Sequence, residues 1–360
     1  MIDQPKVLTS PLPKDESVVI AFVGDVIIHE RLRKREDKTH EGYQAIWQDI
    51  QKYIKKSDIA YANLEGPVAP EFGGVSGFPK FNFPEKIIPA LKDSGFDIVS
   101  TANNHALDRG PRGIRKTIEN LKKYKLAHAG TITSESAVTE KKEAWWHLTK
   151  IQKKYIAWVS CTEMTNGLRD KEKQVLYCFK DIDKVKQLVE KLKRSKEISA
   201  IILMPHWGEE EKFEIESYRQ RWAHIMLNLG ASAVVGSHPH VVQQIESFIT
   251  EDRRQTFIAY SLGNFVSNQP KNPTKASMIF FLKLRTDENS SNLMVEDAKY
   301  IPLWMKRTNE IDGTSKYRLT AVFDDHKVPE EAATIWADQL GVERRLKDEV
   351  EADLFFKRNR

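Results

Sequence analysis

Five short polar segments carry the residue types of a carboxylate/imidazole metal centre: Gly24-Asp25, Asn63-Leu64-Glu65, Asn103-Asn104-His105, His206-Trp207-Gly208 and His238-Pro239-His240. Each follows a stretch rich in Val, Ile, Leu or Ala that reads as a buried strand. A parallel sheet presenting five such strand ends along one edge would gather oxygen and nitrogen donors in one crevice. Divalent metals accept that mixture of ligands. Metal-assisted hydrolysis is the chemistry they would serve.

The segments differ in what they say alone. His238 and His240 are imidazoles two residues apart in a Gly/Pro-bearing loop, which lets them converge on metal; as core histidines each would need its own buried partner. Asp25, after a glycine, reads equally as a turn residue or helix cap, and Glu65, between Asn63 and Gly66-Pro67, shares that ambiguity. His206 ends an apolar strand and alone reads as a hydrogen-bonded structural residue. Asp108 lies three residues beyond His105, where a carboxylate would orient the imidazole and raise its basicity for acid/base work. An Asn/Asp-rich turn before the helix at Pro111 explains Asp108 as well, but explains His105 poorly. Ser261-Leu262-Gly263-Asn264-Phe265 brings Asn264 or Ser261 to the cleft, or is a turn. Lys80, Lys86 and Arg109 are candidate anion contacts or solvated surface charges. The chain has no Gly-rich phosphate loop ending in Lys-Ser/Thr, no G-x-S-x-G elbow and no H-E-x-x-H helix.

Elements must position these residues. Val18 to Val23 is an apolar run meeting a loop at Gly24-Asp25, and Ile59 to Ala62 is a second strand leading into Asn63. Between them, Tyr43 to Ile54 has helical spacing. Glu85 to Ser94 reads as helix, Asp97 to Ser100 as strand, and Pro111 to Tyr124 as a helix with proline at its start. Trp145–Thr149 and Tyr155–Ser160 read as a strand pair, and Asp181–Lys196 as an amphipathic helix. Ala200 to Met204 runs into Pro205-His206. From Glu214, the residues Ile215, Tyr218, Trp222, Ile225 and Leu229 form a helix stripe closed by Gly230, and Ala233-Val234-Val235 leads to the His238 loop. Strands at 241–249, 255–261, 277–285 and 293–302 then follow without helices, pointing to an antiparallel addition at the sheet edge. Strand-helix alternation followed by a run of strands argues for a layered α/β sandwich. The expected organisation is an arm over 1–17, one domain over 18–323, and one charged helix over 324–360. That helix would pack on the domain through Ile335, Trp336, Leu340, Leu346, Val350 and Leu354.

Composition narrows the classes. At 360 residues and 40% hydrophobic content the chain supports a large core. Its 56 basic and 51 acidic residues are intermixed and give a net charge of +5. That balance favours anionic ligands mildly and lacks the basic stripe of a nucleic-acid binder. Cys161 and Cys178 form no C-x-x-C motif; they read as one disulfide in an oxidising compartment or as two core thiols. No apolar run reaches membrane-spanning length and Met1 to Ser17 lacks a leader's apolar core, so the sequence as given reads as soluble and cytoplasmic. The proline-bearing segment from Pro5 to Ser17 also reads as an arm left after removal of a leader, which would place the protein in the cell envelope.

From about Val19 to Phe265 the chain resembles the CapA/PgsA family of poly-γ-glutamate capsule-biosynthesis proteins, which is similar to the calcineurin-like metallophosphoesterases. The resemblance is carried by Gly24-Asp25, Asn63-Leu64-Glu65-Gly66-Pro67, the run Ala102 to Gly110, His206-Trp207-Gly208-Glu209-Glu210, the run Gly236 to Val241, and Tyr260 to Phe265. It implies a four-layer α-β-β-α sandwich and two divalent ions, Mn, Fe or Zn. On that resemblance Asp25 and His240 would bind one ion, Asn104, His206 and His238 the other, and Glu65 would stand at the bridging position. His105 would assist the leaving group. The sequence departs from the phosphoesterase D-x-H motif, with Ile27 two residues after Asp25 and His29 two further on, and Glu65 replaces the usual G-D-x-x-D segment. The implied function is hydrolysis of a phosphoester or related anionic substrate in capsule or envelope-polymer metabolism, with capsule-synthesis partners. The alternatives are non-catalytic binding or transfer of an anionic polymer, with Lys80, Lys86 and Arg109 near the cleft, and metal-dependent peptide epimerisation with His105 as base.

Overall fold

The structure is a computed structural model that describes residues 17–139, 145–151, 154–287, 292–309, 315–323 and 327–356. Nearly all of the expected N-terminal arm lies outside the described residues. In chain order the elements are β1 (Ser17–Val26), α1 (Glu30–Thr39), α2 (Gln51–Lys56), β2 (Ile59–Leu64), α3 (Ile87–Asp93), β3 (Ile98–Ser100), α4 (Gly110–Lys123), β4 (Ala127–Ala129), α5 (Ser134–Thr139), β5 (Trp146–Ile151) and β6 (Lys154–Thr162). They continue with α6 (Ile182–Arg194), β7 (Ile198–His206), α7 (Ser217–Leu229), β8 (Ala233–Val235), β9 (Ile245–Ile249), β10 (Gln255–Ala259), β11 (Asn264–Val266), β12 (Ala276–Thr286), β13 (Leu293–Asn309), β14 (Ser315–Ala321), α8 (Glu330–Leu340) and α9 (Glu349–Phe356).

Alternating side chains of each strand face opposite layers. On β1, Val18, Ile20 and Phe22 point inward and meet Ile156, Trp158, Ile202 and Met204 of the other sheet. Val19, Ala21 and Val23 point outward and are covered by Leu32, Ile54, Ile88 and Leu91 from α1, α2 and α3. The second sheet repeats the logic, with Val159, Leu203 and Val234 under Val185 and Val189 of α6 and Trp222 and Met226 of α7. The result is a four-layer α-β-β-α sandwich. Trp158 stacks on Tyr61 with centroids 6.4 Å apart and sits 6.0 Å from Phe22, joining the two inner faces.

The first sheet is eight-stranded, ordered β14-β13-β12-β1-β2-β3-β4 with β11 also pairing β1; the second is six-stranded, ordered β5-β6-β7-β8-β10-β9. The expectation of one parallel sheet carrying all five polar segments is therefore corrected. Strands apolar on both faces need cover on both sides, and dividing them into two sheets lets each inner face cover the other. The late strands divide too. β12, β13 and β14 extend the first sheet from β1 by successive antiparallel pairings, whereas β10 pairs parallel with β8 in the second.

Local expectations are corrected in three further places. Tyr43 to Ile50 forms two short 3-10 turns before α2, because Trp47, at φ −120°, breaks the helical run. On α7, Tyr218 and Ile225 are each 40% exposed, and Arg219, Trp222, Ala223, Met226 and Leu227 make the buried face. The C-terminal segment is two helices rather than one, interrupted at Gly341, whose φ of 72° suits glycine. Ile335, Trp336, Leu340 and Leu346 are buried, and the Trp336 indole donates to Ser277 O at 3.1 Å. Val350 and Leu354 are exposed; after the break, α9 turns Ala352, Phe355 and Phe356 to the body instead. No helix among the described residues is long and apolar enough to cross a membrane.

Candidate metal centre

The first half of the site comes from strand ends of the first sheet. Parallel pairing of β1 with β2 sets Asp25 opposite Asn63. On the other side of β1 the close approach of the chain before β11 requires Gly24, because a Cβ there would lie 1.8 Å from Gly263 O. The Asn63 amide donates to Asp25 Oδ1 at 2.8 Å and lies 3.5 Å from Glu65 Oε2. Asp25, Asn63 and Glu65 are fully buried. Asn103 ties the next loop in, donating to Leu64 O at 2.8 Å and accepting from the His105 N–H at 3.1 Å, which brings Asn104 to the same place.

The second half comes from loops of the second sheet. β7 ends at His206, and the Trp207 N–H donates to Ser237 O at 3.0 Å, joining the two histidine-bearing loops. Gly236 is confined as Gly24 is, since a Cβ would meet Tyr260 O at 2.1 Å. His238 and His240 have φ of 103° and 61°. A non-glycine residue held in that region costs on the order of 1–3 kcal/mol and is retained where surrounding contacts impose it.

The halves meet through short contacts. His240 Nδ1 lies 3.1 Å from Asp25 Oδ2, which leaves its Nε2 facing Glu65 Oε1 at 3.6 Å. His206 Nδ1 lies 2.9 Å from Ser237 Oγ, and its Nε2 is 3.1 Å from Asn104 Oδ1 and 3.9 Å from Glu65 Oε1. Two ligand sets result, Glu65/His238/His240 and Asp25/Glu65/His206, each with donor atoms within 4.8 Å of one another. Glu65 belongs to both.

Electrostatics favour a cation here. Burial, then the neighbouring Asp25, pushes the Glu65 carboxyl well above its usual range. Burial, then His238 and His240, holds His206 well below the ordinary histidine value, and burial with His240 lowers His238 to about 3. The His206 and His238 imidazoles are thus neutral, as metal ligation requires. Glu65 Oε1, Asn63 Oδ1 and His238 Nδ1 are buried without a hydrogen-bond partner. Such orphaned groups cost roughly 1–3 kcal/mol each, and a divalent ion would satisfy them. The donor set fits a metal ion, with the close groups joining Asp25 to His206 and His238 to His240 through Glu65.

Beside this cluster, His105 Nδ1 is 2.7 Å from Asp108 Oδ2, and the same oxygen accepts the Phe81 N–H at 2.7 Å. Nδ1 is thereby the ring nitrogen turned to the Asp108 carboxyl group. The Phe81 ring meets the His105 ring edge-on at 4.6 Å. Asn264 is buried, its amide donating to Gln269 Oε1 at 2.8 Å and Thr274 O at 3.0 Å and lying 3.4 Å from His240 O. It braces the His240 loop. The Arg109 guanidinium donates to Asp108 O, Ser76 Oγ and Lys80 O, tying the 76–80 segment to the His105 turn. Lys80 enters that network through its carbonyl, and Lys86 sits 3.4 Å from Glu36 Oε1. Arg109 and the Asn264 amide nitrogen thus make structural contacts, while Asn264 Oδ1 is buried without a hydrogen-bond partner.

Sequence reasoning passed over Asn63, Ser237 and Glu163 as individual participants. Asn63 stands two residues before Glu65, the spacing that puts both side chains on one face of a strand. Glu163 follows β6 and had no local signal. It accepts from Gly208 N–H at 3.1 Å and is held by Arg219 Nε at 2.9 Å. Just before it, Cys161 is disulfide-bonded to Cys178, so of the two readings left open by sequence the structure shows the pair.

Fold and site together define a layered α/β protein with a buried carboxylate/imidazole cluster at the meeting of two sheets. Residues 19–269 match the family described as "Bacterial capsule synthesis protein PGA_cap", and the chain belongs to that family. It is 26% identical over 283 residues to the capsule biosynthesis protein CapA of Bacillus anthracis, a match covering 76% of this chain and 65% of that protein. It is 27% identical over 280 residues to the PGA biosynthesis protein CapA of Bacillus subtilis, covering 77% of this chain and 70% of that one. Among solved structures it is similar to the sulfate thiohydrolase SoxB of Thermus thermophilus, at 12% identity and a TM-score of 0.40, over 78% of this chain and 42% of SoxB.

Proposed function

We propose that this protein is a metal-dependent hydrolase of the metallophosphoesterase type, acting on a phosphoester or related anionic substrate in capsule or cell-envelope polymer metabolism. One observation carries the reading: the buried, unpartnered Glu65 Oε1 lies within 4 Å of both His206 Nε2 and His240 Nε2, at 3.9 and 3.6 Å. Asp25, Glu65, Asn104, His206, His238 and His240 would hold two divalent ions, Mn, Fe or Zn, which supply Lewis-acid stabilisation of charge on the reacting group. Around them the chain's own residues do the rest. Asp25 fixes the His240 ring through Nδ1, and Ser237 fixes His206, so that both present Nε2. Asp108 orients His105 and stabilises its protonated form, leaving Nε2 to donate a proton to the departing oxygen. Phe81 shields one edge of that imidazole from water.

The mild basic balance suits an anionic small molecule, peptide or polymer, and nucleic acid is not among the expected partners. The names of the relatives support capsule-synthesis partners. The Cys161–Cys178 pairing supports a place in the cell envelope, where disulfides persist.

The test is elemental analysis of the purified protein followed by assay on nitrophenyl phosphomonoesters and diesters. We expect a chelator-sensitive activity that falls on the order of 10²–10⁴-fold in His105→Ala while metal content stays unchanged. Inactivity on every such ester with Mn, Fe and Zn each loaded would overturn the reading.

A further inference from the structure

We infer that Glu210 is an additional ligand of the metal centre, completing the ion position shared by Glu65 and His240. This rests on the metal reading above but concerns a residue to which that reading gives no role. Two residues after Asp25, the phosphoesterase D-x-H motif has a histidine; here Ile27 is apolar and only 2% exposed. That position contributes no donor, and the group around His240 comprises three residues, Glu65, His238 and His240.

Glu210 supplies a donor from the opposite side. Its Oε1 lies 4.0 Å from His240 Nε2, the same nitrogen that faces Glu65 Oε1 at 3.6 Å. Donors bound to one ion at roughly 2.1 Å each can stand up to about 4.2 Å apart, a limit both spacings to His240 Nε2 meet; Glu210 stands outside the Glu65/His238/His240 donor group as the side chains lie, and its exposed carboxylate joins that group by turning inward. His240 Nδ1 is already engaged by Asp25, so Nε2 is the nitrogen available to an ion. Among the described residues, the Glu210 carboxylate has no other charged partner within ion-pair distance. It is 57% exposed, at the mouth of a cluster whose other acids are buried. A surface glutamate explained by solvation alone would have no reason to face an imidazole nitrogen in that cluster.

The turn that bears Glu210 is fixed to the metal loops. Glu211 N–H donates to Pro239 O at 2.8 Å, between the two histidines of that loop. Gln243 donates to Lys212 O at 2.9 Å. On the other side Gly208 N–H is held by Glu163, itself gripped by Arg219 through Nε at 2.9 Å and Nη2 at 3.0 Å. The backbone on both sides of Glu210 is thereby anchored while its side chain remains free to close over an ion.

The experiment titrates metal-stripped full-length protein with Mn²⁺ and Co²⁺, by calorimetry and by the visible spectrum of bound Co²⁺. Wild type is compared with Glu210→Ala and with Glu209→Ala, a control on the adjacent exposed acid. We expect Glu210→Ala to weaken one of the two ions on the order of 100-fold, at least as much as loss of an outer partner does. Its Co²⁺ spectrum should change, its melting temperature without metal should match wild type, and Glu209→Ala should bind as wild type does. Equal affinity and an equal spectrum in Glu210→Ala would overturn the inference while leaving the metal reading standing. So would an equal loss in Glu209→Ala, which would reduce the effect to general surface charge. Wild type that binds no ion overturns both.

Discussion

The two halves of the site are built by different means. The carboxylate and amide half follows directly from strand register: β1 beside β2 sets Asp25 opposite Asn63, and Glu65 is the first residue after that strand. The imidazole half depends on loop backbone that few residues adopt, with His238 and His240 at positive φ and Gly236 pressed against Tyr260 O. One half is a consequence of sheet geometry, and the other is held by contacts made after the sheets have packed. The imidazole half should therefore be the more sensitive to distant changes in the second sheet, while both halves should fail together when the sheets separate.

The harshest way to break this comparison is Trp158→Ala, between the inner faces. Removing a buried Trp costs about 3–5 kcal/mol, and we expect that loss in urea unfolding, with metal binding by both halves weakened together. Loss of affinity at one ion alone would show that the halves are mechanically independent. Next in size is removal of the Cys161–Cys178 bridge by paired serine substitution. Closing a loop of this length contributes roughly 3 kcal/mol. Because the bridge borders Glu163 and the His206–Gly208 turn, the variant should lose order in the imidazole half first, read as a weaker ion at unchanged Asp25–Asn63 pairing by NMR. An intact wild-type protein that shows free thiols on denaturation would sink this expectation.

Glu65→Gln sharpens the comparison on the carboxylate side. Burial and Asp25 disfavour the Glu65 anion, so the neutral amide should leave the metal-free melting temperature equal or higher. The rise in melting temperature on adding Mn²⁺ should vanish, and its persistence would remove Glu65 from the shared position.

The last effect is in pH. Burial, then His128, depresses His147 on β5 from 6.5 to about 4. Its unfolded form therefore binds a proton that the folded form refuses between about 6.5 and about 4. Stability is full above that window and falls as pH falls through it. His147→Gln should lose less stability than wild type across that range in urea titrations at several pH values. Parallel curves would show that the group is not buried in solution.

How far the site was legible followed from the range of the interactions. Apolar runs ending in Asp25, Asn63, His206 and His238 were visible because a buried strand writes its burial into consecutive residues. The pairing of His105 with Asp108 was visible because three residues on a turn separate them. Glu163 and Ser237 were not legible as participants, since their roles are contacts with residues 31 to 56 positions away. The assignment of late strands to two sheets was hidden for the same reason: β10 and β12 have similar apolar patterns yet join different partners. The single tail helix failed at Gly341, where a local signal was present but the periodicity on either side suggested continuity.

Sequence by itself determined which residue types could ligate a metal, that they close strands, and the family to which the chain belongs. Those properties are set by composition and by neighbours along the chain. Tertiary structure alone decided that the donors come from two facing sheets, that Glu65 stands between His206 and His240, and that Glu210 reaches the same imidazole. Each of these is a distance between chain segments far apart in sequence, fixed only when the inner faces of both sheets exclude water against one another.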